Sequence, residues 1–138
     1  PSQKHLGVAG SDSLNAKAME KYLLAMQQGK ECIGAPIYFF FHIRTSDFTE
    51  PSQLLNIDEI ARIAKTYGLK VNVSGAADSA TGTERINDTL SRQRAEYIKH
   101  LFTERGVSAS RIHTTYEGGI DEFSPIQVNR NTCVTLSF

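Results

Sequence analysis

The N-terminal quarter of the chain has apolar residues at the spacing of an amphipathic helix. Across residues 15–28 one helical face carries five apolar side chains, and Gly29 follows where such a helix would end. These side chains are Ala18, Met19, Tyr22, Leu23 and Met26. We therefore predict that residues 1–35 form an N-terminal helical extension or linker, and that residues 36–138 form the main domain.

A strand, a helix and a second strand are predicted next. Residues 37–41 are a run of aromatic and β-branched side chains, which is typical of a buried strand. Between residues 52 and 66 the apolar positions return to helical spacing, and Gly68 supplies a helix stop. Residues 69–74 then alternate apolar and polar side chains, so we expect a strand with one face on the core and one wetter face.

The same order of elements recurs in the second half of the chain. Residues 75–83 are small and polar and are predicted to form a loop. A long apolar helical stripe over residues 86–102 follows, and Gly106 terminates it. Two short extended segments, residues 111–116 and 132–138, close the chain and are separated by a Gly-Gly turn and an irregular stretch.

These elements predict an α+β fold with two layers. Helices between successive strands favour a sheet with both helices packed on one face. The last two strands have no helix between them, which makes the sheet mixed. We expect a β-α-β-α-β-β domain with a mixed sheet, preceded by the N-terminal helix.

Composition excludes several classes of function. The 138 residues suffice for one hydrophobic core, and 15 Lys plus Arg balance 15 Asp plus Glu. With no net charge, the chain lacks the basic field that attracts nucleic acid or anionic lipid. The longest apolar run is far shorter than the ~20 residues of a membrane helix. Because the chain opens on Pro1, we interpret it as a processed or cloned fragment whose targeting segment lies outside it.

The two cysteines are not placed to bind a metal. Cys32 precedes the first predicted strand and Cys133 lies in the last, and neither belongs to a CxxC pair. If those strands are neighbours in an oxidising compartment, the two thiols could form a disulfide. Otherwise they are two buried thiols that act as small apolar residues.

Two charged residues suggest a ligand site. Asp78 lies just beyond the predicted second strand, and strand ends next to helix N-termini are common ligand positions. If the packed helix begins near Ser91, its first turn presents the Arg94 guanidinium together with free backbone N–H groups. A carboxylate would suit Arg94 and an ammonium would suit Asp78, so together they match an amino-acid zwitterion on an open groove. The alternative is a capping Asp78 and an Arg94 in a surface ion pair.

The order of several short motifs adds a resemblance to a known family. An aromatic strand is followed by Gly75-Ala76-Ala77-Asp78, then Asn87, then Leu90-Ser91-Arg92-Gln93-Arg94-Ala95, and finally Asn129-Arg130 before the last strand. From about residue 37 to 138 the chain resembles the OmpA-like peptidoglycan-binding domain. The resemblance implies that Asp78 and Arg94 bind the free amino-acid end of meso-diaminopimelate in the stem peptide. It also implies a supporting contact for Asn87 and a bracing role for Arg130.

Some positions depart from the family pattern. Ala76-Ala77 replaces the usual His or Tyr followed by Thr, and one extra residue precedes Gly82. After the first strand the chain reads Phe41-His42-Ile43-Arg44, with a basic residue where the family carries an acidic or amide side chain. The stretch between residues 119 and 129 is short. These departures predict a changed affinity or stem-peptide preference.

The resemblance implies a non-catalytic domain that anchors an outer-membrane or periplasmic protein to the cell wall, in the periplasm of a Gram-negative bacterium. It implies no cofactor, no metal and no nucleic acid. An upstream barrel or lipid-anchored segment and a homodimer are left open. The alternative is a structural or protein-interaction domain that has lost wall binding. An enzyme is disfavoured because the serines and histidines that could act belong to no catalytic motif. Those residues are Ser91, Ser124, His5, His42, His100 and His113.

Overall fold

The computed structural model describes residues 33–138 and contains the predicted alternation of strands and helices. The elements are β1 (Ile33–Phe40), α1 (Gln53–Tyr67), β2 (Lys70–Asp78), α2 (Glu84–Glu104), β3 (Ile112–Ile120) and β4 (Asn131–Ser137), with short 3-10 turns at Ala109–Arg111 and Ile126–Asn129. The predicted α+β class is confirmed. The predicted N-terminal helix and the Cys32 end of the considered disulfide lie outside the described residues.

The four strands form one mixed sheet in the order β1-β4-β2-β3. Strand β4 lies between β1 and β2 and is antiparallel to both. Strands β2 and β3 are parallel, as a connection through a helix requires. The predicted mixed sheet is therefore confirmed, and its last strand lies inside the sheet instead of at an edge.

The main core lies between the sheet and the two helices. Alternate residues of β2, Val71 and Val73, point into it with Val134 of β4, and none is more than 1% exposed. Ile57 of α1 and Ile98 of α2 meet them from the helix layer. A smaller apolar cluster forms where Phe123 and Val128, from the β3–β4 connection, pack against Tyr38, Phe40 and Ile120. None of the helices in this part of the chain is long and apolar enough to cross a bilayer.

Both helix stops were predicted, and α2 begins where the predicted loop ends. Gly68 ends α1 with a left-handed backbone at φ 64°, which a residue without Cβ adopts at little cost. Helix α2 begins at Glu84, where the Thr83 hydroxyl accepts a hydrogen bond from the Ile86 N–H. Ser91 is therefore two turns inside the helix. The free N–H groups expected near it are already bonded within the helix, so that expectation is wrong.

Three strands extend beyond the predicted limits. Strand β1 begins at Ile33, so residues 33–36 are strand and not connection. Strand β2 continues to Asp78, which is its last residue and does not lie in the following loop. Strand β3 continues to Ile120 through Gly118, where a turn was expected. An irregularity in the β2–β3 pairing between Gly75 and Ala77, with a φ of 67° at Gly118, explains why simple alternation failed there.

Candidate functional site

Helix α2 lies unusually close to β2, and this closeness positions the charged residues. A Cβ on Gly75 would stand 1.9 Å from the Ser91 carbonyl oxygen and 3.0 Å from the Ala95 Cβ. The Ser91 hydroxyl is fully buried, donates to the Asp88 carbonyl at 2.9 Å and accepts the Gly118 N–H at 3.1 Å. The glycine of the strand motif and the serine and alanine of the helix motif are therefore packing residues. They hold α2 against β2 and β3.

Arg94 projects from this contact into the protein interior. Only 1% of it is exposed, and its guanidinium lies 5.4 Å from the Phe41 ring centre. Three backbone carbonyls accept its hydrogen bonds: Thr45 from Nε at 2.8 Å, Ala76 from Nη1 at 2.9 Å and His42 from Nη2 at 3.2 Å. Within residues 33–138 no carboxylate forms an ion pair with it.

The pKa of Arg94 records the electrostatics of this position. The pKa is lowered to about 10, chiefly by burial and also by the neighbouring Arg130 cation, while the Asp78 carboxylate opposes both effects. Arg94 is still charged at neutral pH. Its charge is therefore buried among neutral carbonyls, with another cation and one carboxylate near enough to affect it.

Asp78 is also buried and has a protein partner. It is 2% exposed, its Oδ1 accepts from the Thr81 hydroxyl at 2.9 Å, and its Oδ2 accepts from Arg130 Nε at 2.6 Å. The Arg130 side chain is 19% exposed and is the most accessible member of the group. We name Asp78, Arg94 and Arg130 the charged triad. It contains two cations and one anion.

Arg130 is held in place by the residue before it. The Asn129 side chain accepts the N–H groups of Glu122 and Phe123 at 3.0 and 2.9 Å, and donates to the carbonyls of Phe123 and Ile126. This ties the β3–β4 connection into a compact turn. The Arg130 carbonyl then accepts the Phe41 N–H at 3.0 Å. In the Asn-Arg motif, Asn129 therefore organises the turn and Arg130 supplies the charge that pairs with Asp78.

Asn87 lies beside the loop that follows β2. It is 4% exposed, and a Cβ on Gly82 would be 3.1 Å from its Oδ1, while one on Gly119 would be 3.0 Å from its Nδ2. These glycines leave the space that the amide occupies. Asn87 therefore lines the turn between β2 and α2, near the Asp78 end of β2.

The structure brings together three of the four residues selected from the sequence, but not on an open groove. Asp78 and Arg94 are both nearly inaccessible, so the expected open receptor is corrected to a closed, charged cluster. Burial follows from the close α2–β2 contact and from the segment after β1. The carbonyls of His42 and Thr45 were missed because a backbone oxygen has no sequence signature.

The other polar residues considered do not converge on one point. Ser91 is a buried packing residue, and His100 pairs with Glu104 on the exposed face of α2 at 3.3 Å. His42 and His113 are exposed on separate segments. Across residues 33–138 no three His, Cys, Asp or Glu side chains are grouped closely enough to hold a metal ion. His5 lies outside the described residues.

The chain is similar to outer membrane proteins of the OmpA family. The model of the OmpA family matches residues 40–130. The chain is 28% identical over 124 residues to outer membrane protein A of Bordetella avium, covering 90% of this chain and 61% of that protein. It is 32% identical over 83 residues to outer membrane protein 40 of Porphyromonas gingivalis, covering 60% of this chain but only 22% of that protein.

A solved structure has the same fold. The peptidoglycan-associated lipoprotein from Burkholderia pseudomallei superimposes with a TM-score of 0.64 at 18% identity, covering 72% of this chain and 89% of that one. The matches span only 22% and 61% of the length of the two relatives. All three residues of the charged triad lie within the segment that the family model covers.

Proposed function

Because this chain belongs to the OmpA family, we propose that it is a non-catalytic domain that binds peptidoglycan through the diaminopimelate amino-acid group of the stem peptide. Arg94 takes the carboxylate of that group and Asp78 takes the ammonium. Asn87 and Arg130 support the ligand or the two primary residues. The Burkholderia protein of the same fold is a peptidoglycan-associated lipoprotein, which agrees with a wall ligand.

The observation that carries the proposal is the unbalanced charge of the triad. Two guanidinium groups share one carboxylate, and the more buried of the two, Arg94, has only neutral carbonyls as hydrogen-bond partners. A buried cation without an anion is destabilising, and a carboxylate can pair with a guanidinium through two parallel hydrogen bonds while also supplying the countercharge. A ligand carboxylate would supply the anionic partner that Arg94 lacks among the residues described.

Asp78 is the acceptor that we assign to the ammonium of the ligand. Its carboxylate already accepts from Arg130, which is partly exposed and can yield or share that oxygen. A ligand bringing both an ammonium and a carboxylate adds no net charge to the triad and provides each member with a partner. A ligand with an ammonium alone would raise the excess positive charge and leave Arg94 without an anion, so the site favours a zwitterion over such a ligand.

The binding would serve as an anchor. We infer that the domain lies in the periplasm and ties an outer-membrane or periplasmic protein to the wall, as the names of the outer membrane relatives suggest. No bond is made or broken in such a role. In this proposal, a barrel or a lipid-anchored segment upstream of the domain attaches it to the outer membrane.

One observation favours a second function. Arg94 donates to three backbone carbonyls and Asp78 is paired with Arg130, so both residues also fit a purely structural role. The alternative is a domain that kept this fold for structure or for protein contacts and does not bind the wall.

Sedimentation with purified sacculi separates the two functions. Asp78→Asn keeps the shape of the side chain and removes its charge, and Asp121→Asn makes the same change at an exposed position as the control. We expect Asp78→Asn to lose most cosedimentation while the control retains it. Equal cosedimentation of all three proteins, or none by the unmodified chain, would support the alternative.

A further inference from the structure

The segment between β1 and α1 covers the charged triad with its own backbone. Residues 42–47, which we name the cap loop, are closed at the base by a bridge between Phe41 and Phe48. Two of the three carbonyls that accept from Arg94 belong to this loop, those of His42 and Thr45. The third, Ala76, lies within β2 and is fixed by the sheet. The loop therefore supplies the movable part of the Arg94 environment.

The base and the tip of the cap loop are held very differently. At the base, Phe48 packs against the rings of Phe39, Phe41 and Tyr97, with ring centres 5.4 to 5.9 Å apart. At the tip, residues 42–44 are exposed. Arg44 has a left-handed backbone at φ 58°, which disfavours a residue with a Cβ. Few apolar contacts and local strain are features of segments that open without global unfolding.

A small set of hydrogen bonds centred on one side chain keeps the tip closed. The Thr45 hydroxyl donates to the His42 carbonyl at 3.0 Å and accepts the Asp47 N–H at 3.0 Å. The His42 N–H also donates to the Asp47 carbonyl at 2.9 Å. The Thr45 side chain thus holds the loop closed, and the Thr45 carbonyl accepts a hydrogen bond from Arg94.

We propose that the cap loop is a lid. When no ligand is present, its carbonyls accept hydrogen bonds from the Arg94 guanidinium, and the loop must lift before a carboxylate can take their place. The inference rests on the proposed function. A carboxylate that pairs side-on with Arg94 takes the Nε and Nη2 donors that the two loop carbonyls occupy, so this pairing and the closed loop exclude each other. A charged acceptor replaces neutral ones, which favours the exchange. The observed affinity is then the intrinsic affinity reduced by the fraction of open molecules.

The hydrogen bonds of the Thr45 hydroxyl can be removed without mutating Arg94 or its carbonyl partners. Thr45→Ala keeps the backbone carbonyl but removes both hydroxyl hydrogen bonds, whereas Thr66→Ala removes one comparable hydroxyl bond, to the Arg62 carbonyl, on the exposed face of α1. In the free protein, the Arg94 Nε–H is followed by ¹⁵N NMR hydrogen exchange. We expect exchange to accelerate at least about fivefold in Thr45→Ala and to be unchanged in Thr66→Ala. Equal exchange in the two variants would overturn the lid.

A ligand experiment distinguishes failure of the lid from failure of the proposed function. A stem tetrapeptide containing diaminopimelate is titrated into the unmodified chain and into Thr45→Ala. We expect tighter binding by Thr45→Ala, and faster exchange of the His42 and Asp47 amides in the bound state of the unmodified chain. Binding with those amides still protected would overturn the lid and leave the function intact. Absence of binding by both proteins would overturn the proposed function and, with it, the lid as a ligand gate.

Discussion

Arg130 donates its Nε hydrogen to Oδ2 of Asp78 at 2.6 Å, joining the residue before β4 to the last residue of β2 across 52 positions of sequence. Asp78 is almost completely buried, and this contact supplies its countercharge. The pair therefore fixes the orientation of the carboxylate that we assign to the ligand ammonium. It also locks the end of β2 to the start of β4.

Removing Arg130 should lower stability markedly. In Arg130→Gln the Asp78 carboxylate remains buried without a countercharge, so we expect the free energy of unfolding to fall by about 3 kcal/mol. Urea denaturation followed by circular dichroism measures this loss. Arg105→Gln, which breaks an exposed pair with Asp58, is the control and should lose less than about 1 kcal/mol. Equal losses would show that Asp78 does not depend on Arg130.

The close contact between α2 and β2 predicts a severe effect at Gly75. A Cβ there would overlap the Ser91 carbonyl, so Gly75→Ala must push the helix off the sheet. We expect a loss of about 3 kcal/mol or more, or failure to fold. Ser74→Ala, at the neighbouring and partly exposed position of the same strand, should change stability by less than about 1 kcal/mol. If Gly75→Ala were as stable as Ser74→Ala, the assigned packing would be wrong.

Asn129 should matter for stability and for the placement of Arg130. Asn129→Ala removes four hydrogen bonds to the backbone of the β3–β4 connection, and we expect a loss of about 2 to 4 kcal/mol. Amide hydrogen exchange should increase over residues 121–129 before it increases in β2. The exposed neighbour variant Gln127→Ala should leave both measurements close to those of the unmodified chain. Uniform exchange across the sheet would contradict the local role.

The fold could be predicted from sequence where one side-chain pattern dominated. In β2 the alternation of Val71 and Val73 with polar residues identified the strand, but the strand end was missed because residues 75–78 are all buried and no longer alternate. At Gly75 the burial comes from the contact with Ser91, which tertiary packing sets and local periodicity does not show.

The site could be predicted only in part. The strand-end and helix motifs identified Asp78 and Arg94, and the Asn-Arg motif identified Arg130. Two of the three carbonyls that hold Arg94 lie in residues 42–47, and no residue type there specifies a carbonyl direction. The expectation of free N–H groups at Ser91 was wrong because α2 begins two turns earlier, at Glu84, where Thr83 caps it.

The most direct test of the charged triad as a zwitterion receptor is calorimetric titration with two stem tetrapeptides that differ only in the third residue. One carries diaminopimelate, which has both a carboxylate and an ammonium at its free end, and the other carries lysine, which has only the ammonium. We predict at least about tenfold tighter binding of the diaminopimelate peptide, because the lysine peptide leaves Arg94 without an anion. Equal affinity for the two peptides would contradict the account.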